Sequence, residues 1–524
     1  MKVLERLAAL FKNRSVALVF FIIVFGLTRF IMLGPDEINP DGVNWHYRSQ
    51  QFIVGLKSGD FERTYQHYHP GVTLMWLTGV PIEIYKQITG VTTYDQYNFI
   101  AFNTVAKYSV VLAQLVLTFI LLYYLSKVVG FKIAYFSVFL FSLEPFFMGN
   151  SRLYHMDVLL ALFVLIGLLI SWLNLKSFSY KQSILAGVFL SLSFLTKSIG
   201  IGALFFVLLF STAYFANKKD LKGLLNYFFT ILGSFIVTTF VLFPALWVRP
   251  VYYLSEIFAE SERVGIRKGH EQIVFGETTQ DAGLLFYPLV LLIKSTPFLI
   301  AGLILCLMRC VNSFSNVLKN IKAKYHNPYI YLALFYLGYF FIMFYPSKKL
   351  DRYMLPLYPF LTLLASYGII RFYSFLKTPK SKKVFMSVAL FMFTLFYIVP
   401  AITDFPYYFT YTSPLFGTAN SANTIIAQKP FGIAVPALKD YIINRYGNEP
   451  ELGFIDTKPM KAIYSNSKVA DIRVNGVSDY ELLVLGINEE IPEKVLESGT
   501  RFRKDSSLYV NGLEYWRIYV KEDK

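Results

Sequence analysis

The sequence predicts a polytopic α-helical membrane protein with about eleven transmembrane helices, followed by a small extracytoplasmic α/β domain. Three observations carry this expectation. Of 524 residues, 55% are hydrophobic and 16% charged, a balance too apolar for an average soluble chain. Repeated runs approach or exceed the roughly 20 apolar residues needed to cross a hydrocarbon core. Lys and Arg gather in alternate connections, as the positive-inside bias of membrane proteins requires. That bias also accounts for the net charge of +16, so the implied partner is the lipid bilayer and not nucleic acid.

Spans are expected near 16–33, 103–126, 131–149, 156–174, 183–198, 199–216, 224–247, 284–308, 328–345, 354–371 and 384–402. The start, MKVLERLAALFKNRS, resembles a signal region, but the run after it ends in TRFIMLG without a small-residue cleavage site and reads as a retained first span. The cytoplasmic set is the N-terminus with Lys2, Arg6, Lys12 and Arg14, then Lys127/Lys132, Lys176/Lys181, Lys218/Lys219/Lys222, Arg309 to Lys324, and Arg371 to Lys383. Only Glu5 and Asp220 are acidic among them. The N-terminus is therefore expected in the cytoplasm of a multi-pass plasma (inner) membrane protein. Loops 34–102, 149–156, 248–283 and 346–353 and the C-terminal tail fall outside. The run 183–216 is split at Lys197-Ser198-Ile199-Gly200, because one span there would break the sidedness. Cys306 and Cys310, four apart on one apolar run, read as helix-packing residues.

The division is a transmembrane unit, 1–402, and a C-terminal unit, 403–524. In the second, ELGFID, YELLVLGI and LEYWRIYV read as strands, and VPALKDYIINRY and EKVLES as helices. In the first outer loop, Asn39-Pro40 predicts a helix start, with Asn39 as N-cap and Pro at the first helical position. A helix to about Lys57 puts Trp45, Phe52, Ile53 and Leu56 on one face, with Gly59 closing it; such a helix is expected flat on the membrane surface. The piece Val72 to Tyr85, interrupted by Gly79 and Pro81, is expected to be interfacial or re-entrant.

Charge in or beside hydrocarbon is costly and marks function. Arg29, Glu144, Asp157, Lys197, Lys294 and Lys348/Lys349/Arg352 all fall toward the outer side, which favours a site opening there over the midplane site of a transporter. Asp41 lies in the first turn of its helix, where the dipole favours the ionised form; it can orient a hydroxyl and accept its proton, or serve only as a helix-start charge. Asp157 carries the same two readings. Lys348, Lys349 and Arg352, beside Tyr353, suit a lipid phosphate or snorkel to headgroups. His67 and His69 are two apart and His270 lies in loop 248–283, but a metal needs a further convergent ligand. No cofactor is implied with certainty; a divalent metal is possible, but the sequence does not support one.

Taken in order, NPDGVNWHYRSQQF, HPGVTLMW, SRLYHMDVLLALFVL, SFLTKSIG, FYPLVLLIKSTP, KKLDRYMLPLYPFL and FPYYFTYTSPLFG resemble the GT-C superfamily of lipid-phosphate-sugar-dependent glycosyltransferases, over about 30–420. The nearest branch is similar to protein O-mannosyltransferases and aminoarabinose transferases. The resemblance implies an outward-facing site, a polyprenyl-phosphate sugar donor and a catalytic Asp at Asp41. Many relatives carry Asp-Glu where this chain has Asp41-Gly42, which leaves Asp157 to supply a second carboxylate. The last stretch reads YTSPLFG where relatives have YNPLxGG. On this reading Asp41 is the base of an inverting transfer and Asp157 positions acceptor or sugar. His69, Arg152, Lys197, His270, Lys294, Lys348, Lys349, Arg352 and Tyr353 bind substrate or lipid phosphate. The acceptor is open: protein, lipid or polysaccharide. A ligase moving a whole lipid-linked glycan, a transporter and an inactive scaffold are the alternatives.

Overall fold

The computed structural model describes residues 13–266, 271–319, 327–447, 449–474, 476 and 480–522. Among them, six helices are long and apolar enough to cross a membrane, or eight if each of two bent pairs is one span. The chain is a multi-pass helical membrane protein. The expected eleven is not reached by that measure. The segments expected at 16–33, 183–198 and 328–345 are the helices Arg14–Arg29, Tyr180–Thr196 and Pro328–Ile342, of 16, 17 and 15 residues, short of the roughly 20 that span a bilayer at right angles.

Two expected straight spans are bent. Phe131–Leu143 turns through 71° into Pro145–Ser151, and Phe286–Lys294 turns through 114° into Pro297–Arg309. Proline opens each second half, where its missing N–H and fixed φ suit a helix start and resist continuation. The two corners are tied together. Glu144, fully buried, accepts hydrogen bonds from the Thr296 N–H (2.6 Å), the Thr296 hydroxyl (3.1 Å) and the Tyr397 hydroxyl (2.7 Å). Backbone freed by a break inside apolar surroundings needs such partners.

Asp157–Lys176 lies at the centre, with 94% of its apolar window buried in protein. Tyr180–Thr196 packs on it and stops at Lys197, where the backbone is extended (φ −152°, ψ 134°). Gly200 permits the tight turn: a Cβ there would stand 2.3 Å from the Ser193 carbonyl oxygen. The break carries Lys197 out of its helix and toward Asp157.

The outer-loop helix runs Pro40–Ser58, with the Asn39 side chain accepting from the Gly42 N–H and Gly59 closing it at φ 74°. Its apolar face does not lie on the membrane surface as expected. Phe52 meets Trp76 with ring centroids 5.2 Å apart, and Trp45 covers Gly71 so closely that no Cβ fits. Burying a side chain such as Phe52 contributes about 2 kcal/mol, so the helix packs on protein. Its partner, Val72–Thr89, is one continuous helix through Pro81. At Gly79 a Cβ would come within 2.8 Å of Ile53 Cγ1. The chain entering Pro40–Ser58 is fixed by Lys107, whose Nζ lies 2.6 Å from Asp36 and 2.7 Å from Glu37, all three buried.

Loop 248–283 holds the helix Pro250–Ile266 and an antiparallel hairpin, β1 (Gln272–Val274) with β2 (Glu277–Thr279). Toward the C-terminus, β3 (Leu452–Phe454), β4 (Val469–Asp471), β5 (Leu482–Gly486), β6 (Phe502–Val510) and β7 (Leu513–Lys521) form a mixed sheet in the order β4-β3-β5-β7-β6. The helices Val435–Tyr446 and Glu493–Glu497 accompany it. Strands β3, β5 and β7 and both helices lie where the sequence placed them, whereas β4 and β6 were not anticipated. Before the sheet, the chain returns to the outer loop. The Ile38 N–H donates to Gly432 O and the Ala434 N–H to Asp36 O, each at 3.1 Å.

Candidate active site

Four separate pieces of chain converge on one ionic cluster. Asp41 comes from the first turn of Pro40–Ser58, His155 and Asp157 from the entry to the central helix, Lys197 from the broken helix, and Arg352 from the 3-10 turn Asp351–Leu357. Arg352 Nη2 donates to Asp41 Oδ2 at 2.7 Å, and its Nε lies 3.4 Å from Asp157 Oδ2. Lys197 Nζ donates to the other Asp157 oxygen at 2.6 Å. His155 stands between the carboxylates, Nε2 3.5 Å from Asp41 and Nδ1 3.0 Å from Asp157.

The two acids differ in access. The Asp157 side chain is 3% exposed and the Asp41 side chain 37%, so Asp41 is the carboxylate open to a reactant. Burial pushes the Asp41 carboxyl up, but Arg352, His155 and Lys348 outweigh it and hold it well below the usual carboxylate range. Asp41 is thus ionised at neutral pH.

Beside this cluster is a cavity of about 280 Å³. Its polar end carries Lys197, Lys348 and His69, and its wall is apolar, with Ile199, Ile201, Phe258 and Met343. Burial and the neighbouring Arg352, opposed by Asp41, leave Lys348 pulled down to about 8. Burial and then Lys197 keep His69 neutral, well below its ordinary value; its Nδ1 is 3.4 Å from the Ser198 hydroxyl. Tyr353 lines the same cavity, and Lys197 Nζ sits 4.3 Å above its ring centroid, within cation–π range.

Not every residue expected at the site is in this cavity. Lys294 and Lys349 line a separate cavity of about 80 Å³ that Arg352 also borders. Arg152 faces neither one. It is buried, Nε and Nη2 contact Asp36 Oδ2 at 3.0 and 2.9 Å, and the remaining donors reach the carbonyls of Thr28, Arg29 and Ile31. Arg152 therefore anchors the outer loop. His270 lies outside the described residues. His67 and His69 are neighbours, with ring centroids 5.6 Å apart, and among the described residues no group of three or more His, Cys, Asp or Glu is placed to hold a metal ion. His155 was missed by the sequence reading; the available signal was its place two residues before Asp157. Phe431 was also missed. Its ring lies 4.9 Å from the Arg352 guanidinium carbon and stacks on Phe409 at 5.3 Å.

Among solved structures, the chain is similar to ArnT from Cupriavidus metallidurans bound to undecaprenyl phosphate, with 13% identity, 96% of this chain and 97% of that one covered, and a TM-score of 0.49. It is also similar to the archaeal oligosaccharyltransferase AglB from Archaeoglobus fulgidus in complex with an inhibitory peptide and a dolichol-phosphate. There the identity is 12%, the coverage 90% and 69%, and the TM-score 0.47. Likeness at this level assigns no role to any residue. No family model and no curated protein sequence matches the chain.

Proposed function

We propose that the protein is an inverting membrane glycosyltransferase that moves a sugar from a polyprenyl-phosphate donor to an acceptor at the outer face. The observation carrying this reading is the 280 Å³ cavity, cationic at one end and apolar along its wall, beside Asp41, the more open of the cluster's two carboxylates. A phosphate on a long apolar tail matches both halves: charge-assisted hydrogen bonds hold the head and apolar burial holds the chain.

In the reaction the acceptor hydroxyl attacks the anomeric carbon from the side opposite the phosphate. The new C–O bond forms as the sugar–phosphate C–O bond breaks, the proton passes to Asp41, and the phosphate leaves with the electron pair. Lys197, Lys348 and Arg352 stabilise the charge developing on that phosphate. A carboxylate held as low as Asp41 is a weak base. An arriving phosphate competes for Arg352, and as Arg352 turns to it the proton affinity of Asp41 rises toward an ordinary carboxylate. Asp157 keeps Lys197 in place through both stages. The N-terminus is on the cytoplasmic side, and the unit from 403 onward stands outside with the site.

The test is purified protein in lipid, given a panel of polyprenyl-phosphate sugars and acceptors, with mass spectrometry following free polyprenyl phosphate. Wild type releases it from one donor class and Asp41→Asn does not. Release from no donor by folded protein sinks the proposal, and transfer of an intact glycan from a lipid diphosphate would replace it with the ligase.

A further inference from the structure

Lys348 and Lys349 are adjacent in sequence yet serve different spaces. Lys348 faces the apolar-walled cavity, and Lys349 faces the smaller one, with Lys294, Lys429 and Arg352. Four cations converge there on a space of about 80 Å³, opposed within it by one carboxylate, Asp351, which also accepts from the Arg352 backbone N–H at 2.7 Å. Arg352 is already paired with Asp41, but Lys294 and Lys429 have no carboxylate within ion-pair distance among the described residues. Lys294, 4% exposed, donates to a single carbonyl, that of Tyr411, at 3.0 Å. Lys429 stands exposed at the rim, and its Nζ donates to the Glu271 carbonyl, also at 3.0 Å. Lys349 pairs with Asp281 at 2.8 Å, a side chain 65% exposed to solvent. Two amide oxygens lining the space, Gln272 Oε1 and Gln428 Oε1, are buried without a hydrogen-bond partner among the described residues. A buried cation such as Lys294 without a carboxylate partner is costly, and unsatisfied buried acceptors call for a ligand able to donate to them.

The two cavities share no lining residue. We propose that the second cavity binds another anionic group, a phosphate or carboxylate that also carries hydroxyls, belonging to the transferred sugar or to the acceptor. The anion is held by Lys294, Lys349 and Lys429, and the hydroxyls donate to Gln272 and Gln428. Arg352 borders this space and contacts Asp41, so a reactant seated there lies next to the base. The assignment of sugar or acceptor rests on the glycosyl-transfer reading; the existence of a second anion site does not.

The experiment is calorimetric titration of the full chain in lipid nanodiscs with two probes, farnesyl phosphate and inorganic phosphate. With farnesyl phosphate saturating, inorganic phosphate still binds one site. Lys429→Met weakens that binding at least tenfold, about the loss of one charge-assisted hydrogen bond, and leaves the farnesyl phosphate affinity unchanged, while Lys429→Arg restores it. Phosphate displaced fully by farnesyl phosphate, or bound equally by Lys429→Met, overturns the proposal. Farnesyl phosphate failing to bind while phosphate binds in a Lys429-dependent way would sink the glycosyl-transfer reading and leave this site standing. Turnover then separates the sources. A Lys429→Met defect confined to uronic-acid donors places the anion on the sugar, one confined to phosphorylated acceptors places it on the acceptor, and a defect with neither overturns the role in transfer.

Discussion

Asp157→Asn tests whether the central acid is a reactant or a counter-charge. The Asp157 side chain is 3% exposed and Lys197 7%, and they meet at 2.6 Å. Arg352 keeps Asp41 when Asp157 is neutralised, but Lys197 loses the carboxylate it donates to. Stranding one partner of a buried pair costs about 3–5 kcal/mol, whereas the exposed side of the cluster, Asp41→Asn, costs about 1 kcal/mol. Denaturation of the variants in mixed micelles, followed by tryptophan emission, reads the difference. Asp157→Asn is expected to unfold at clearly lower denaturant, and Asp157→Asn/Lys197→Met, which removes both charges at similar volume, recovers most of the loss while staying inactive. An Asp157→Asn protein as stable as wild type, or a double variant no better than the single, refutes the counter-charge argument.

Asp41→Asn is expected to fold normally and lose 10²–10⁴-fold in kcat, the usual contribution of a general base, in the donor-release assay. Donor affinity should fall as pH rises through about 8, where the Lys348 ammonium deprotonates; Lys348→Arg keeps the affinity to higher pH, measured by farnesyl phosphate titration. Burial pushes Glu489 up to about 7 despite the Gly486 N–H it accepts. Its folded pKa lies above its unfolded one, so its contribution is full below the unfolded value and lost as pH rises through about 7. Glu489→Gln should therefore raise thermal stability at pH 8.5 and not above that of wild type at pH 4. Gly432→Ala places a Cβ 1.8 Å from the Ile38 carbonyl oxygen at a φ of 72°. It should expose the 425–434 segment to limited proteolysis, read by mass spectrometry.

The legible parts of this chain are those where local chemistry decides. Asn39-Pro40 and Gly59 bound a helix whatever packs on it, and Lys197-Ser198-Ile199-Gly200 interrupts an apolar run however the run is placed. Asp41, Asp157, Lys197 and Arg352 stood out because charge beside hydrocarbon needs a reason. What was not legible depends on partners distant in sequence. Arg152 looks the same as a ligand-binding arginine until Asp36 and three carbonyls at and just beyond the end of the first helix close on it. Lys348 and Lys349 are indistinguishable until the chain sends them to opposite sides. The sharp corners at Glu144 and Ser295 depend on each other, since each supplies the other's polar partners. Strand β6, FRKDSSLYV, has one buried residue, Val510, and as a sheet edge shows no apolar alternation to read.

The backbone bonds from Gly432 to Ile38 and from Ala434 to Asp36 also order events in time. A ribosome delivers Asp41 almost four hundred residues before the segment that clasps its loop and brings Phe431 beneath Arg352. The pairing spans nearly the whole chain, and such long-range closure comes late in folding. Until it forms, the loop bearing Asp41 lacks its clasp and Arg352 lacks its aromatic platform. A nascent or truncated chain therefore holds Asp41 and Arg352 without this support, which arrives only with the final fifth of the protein.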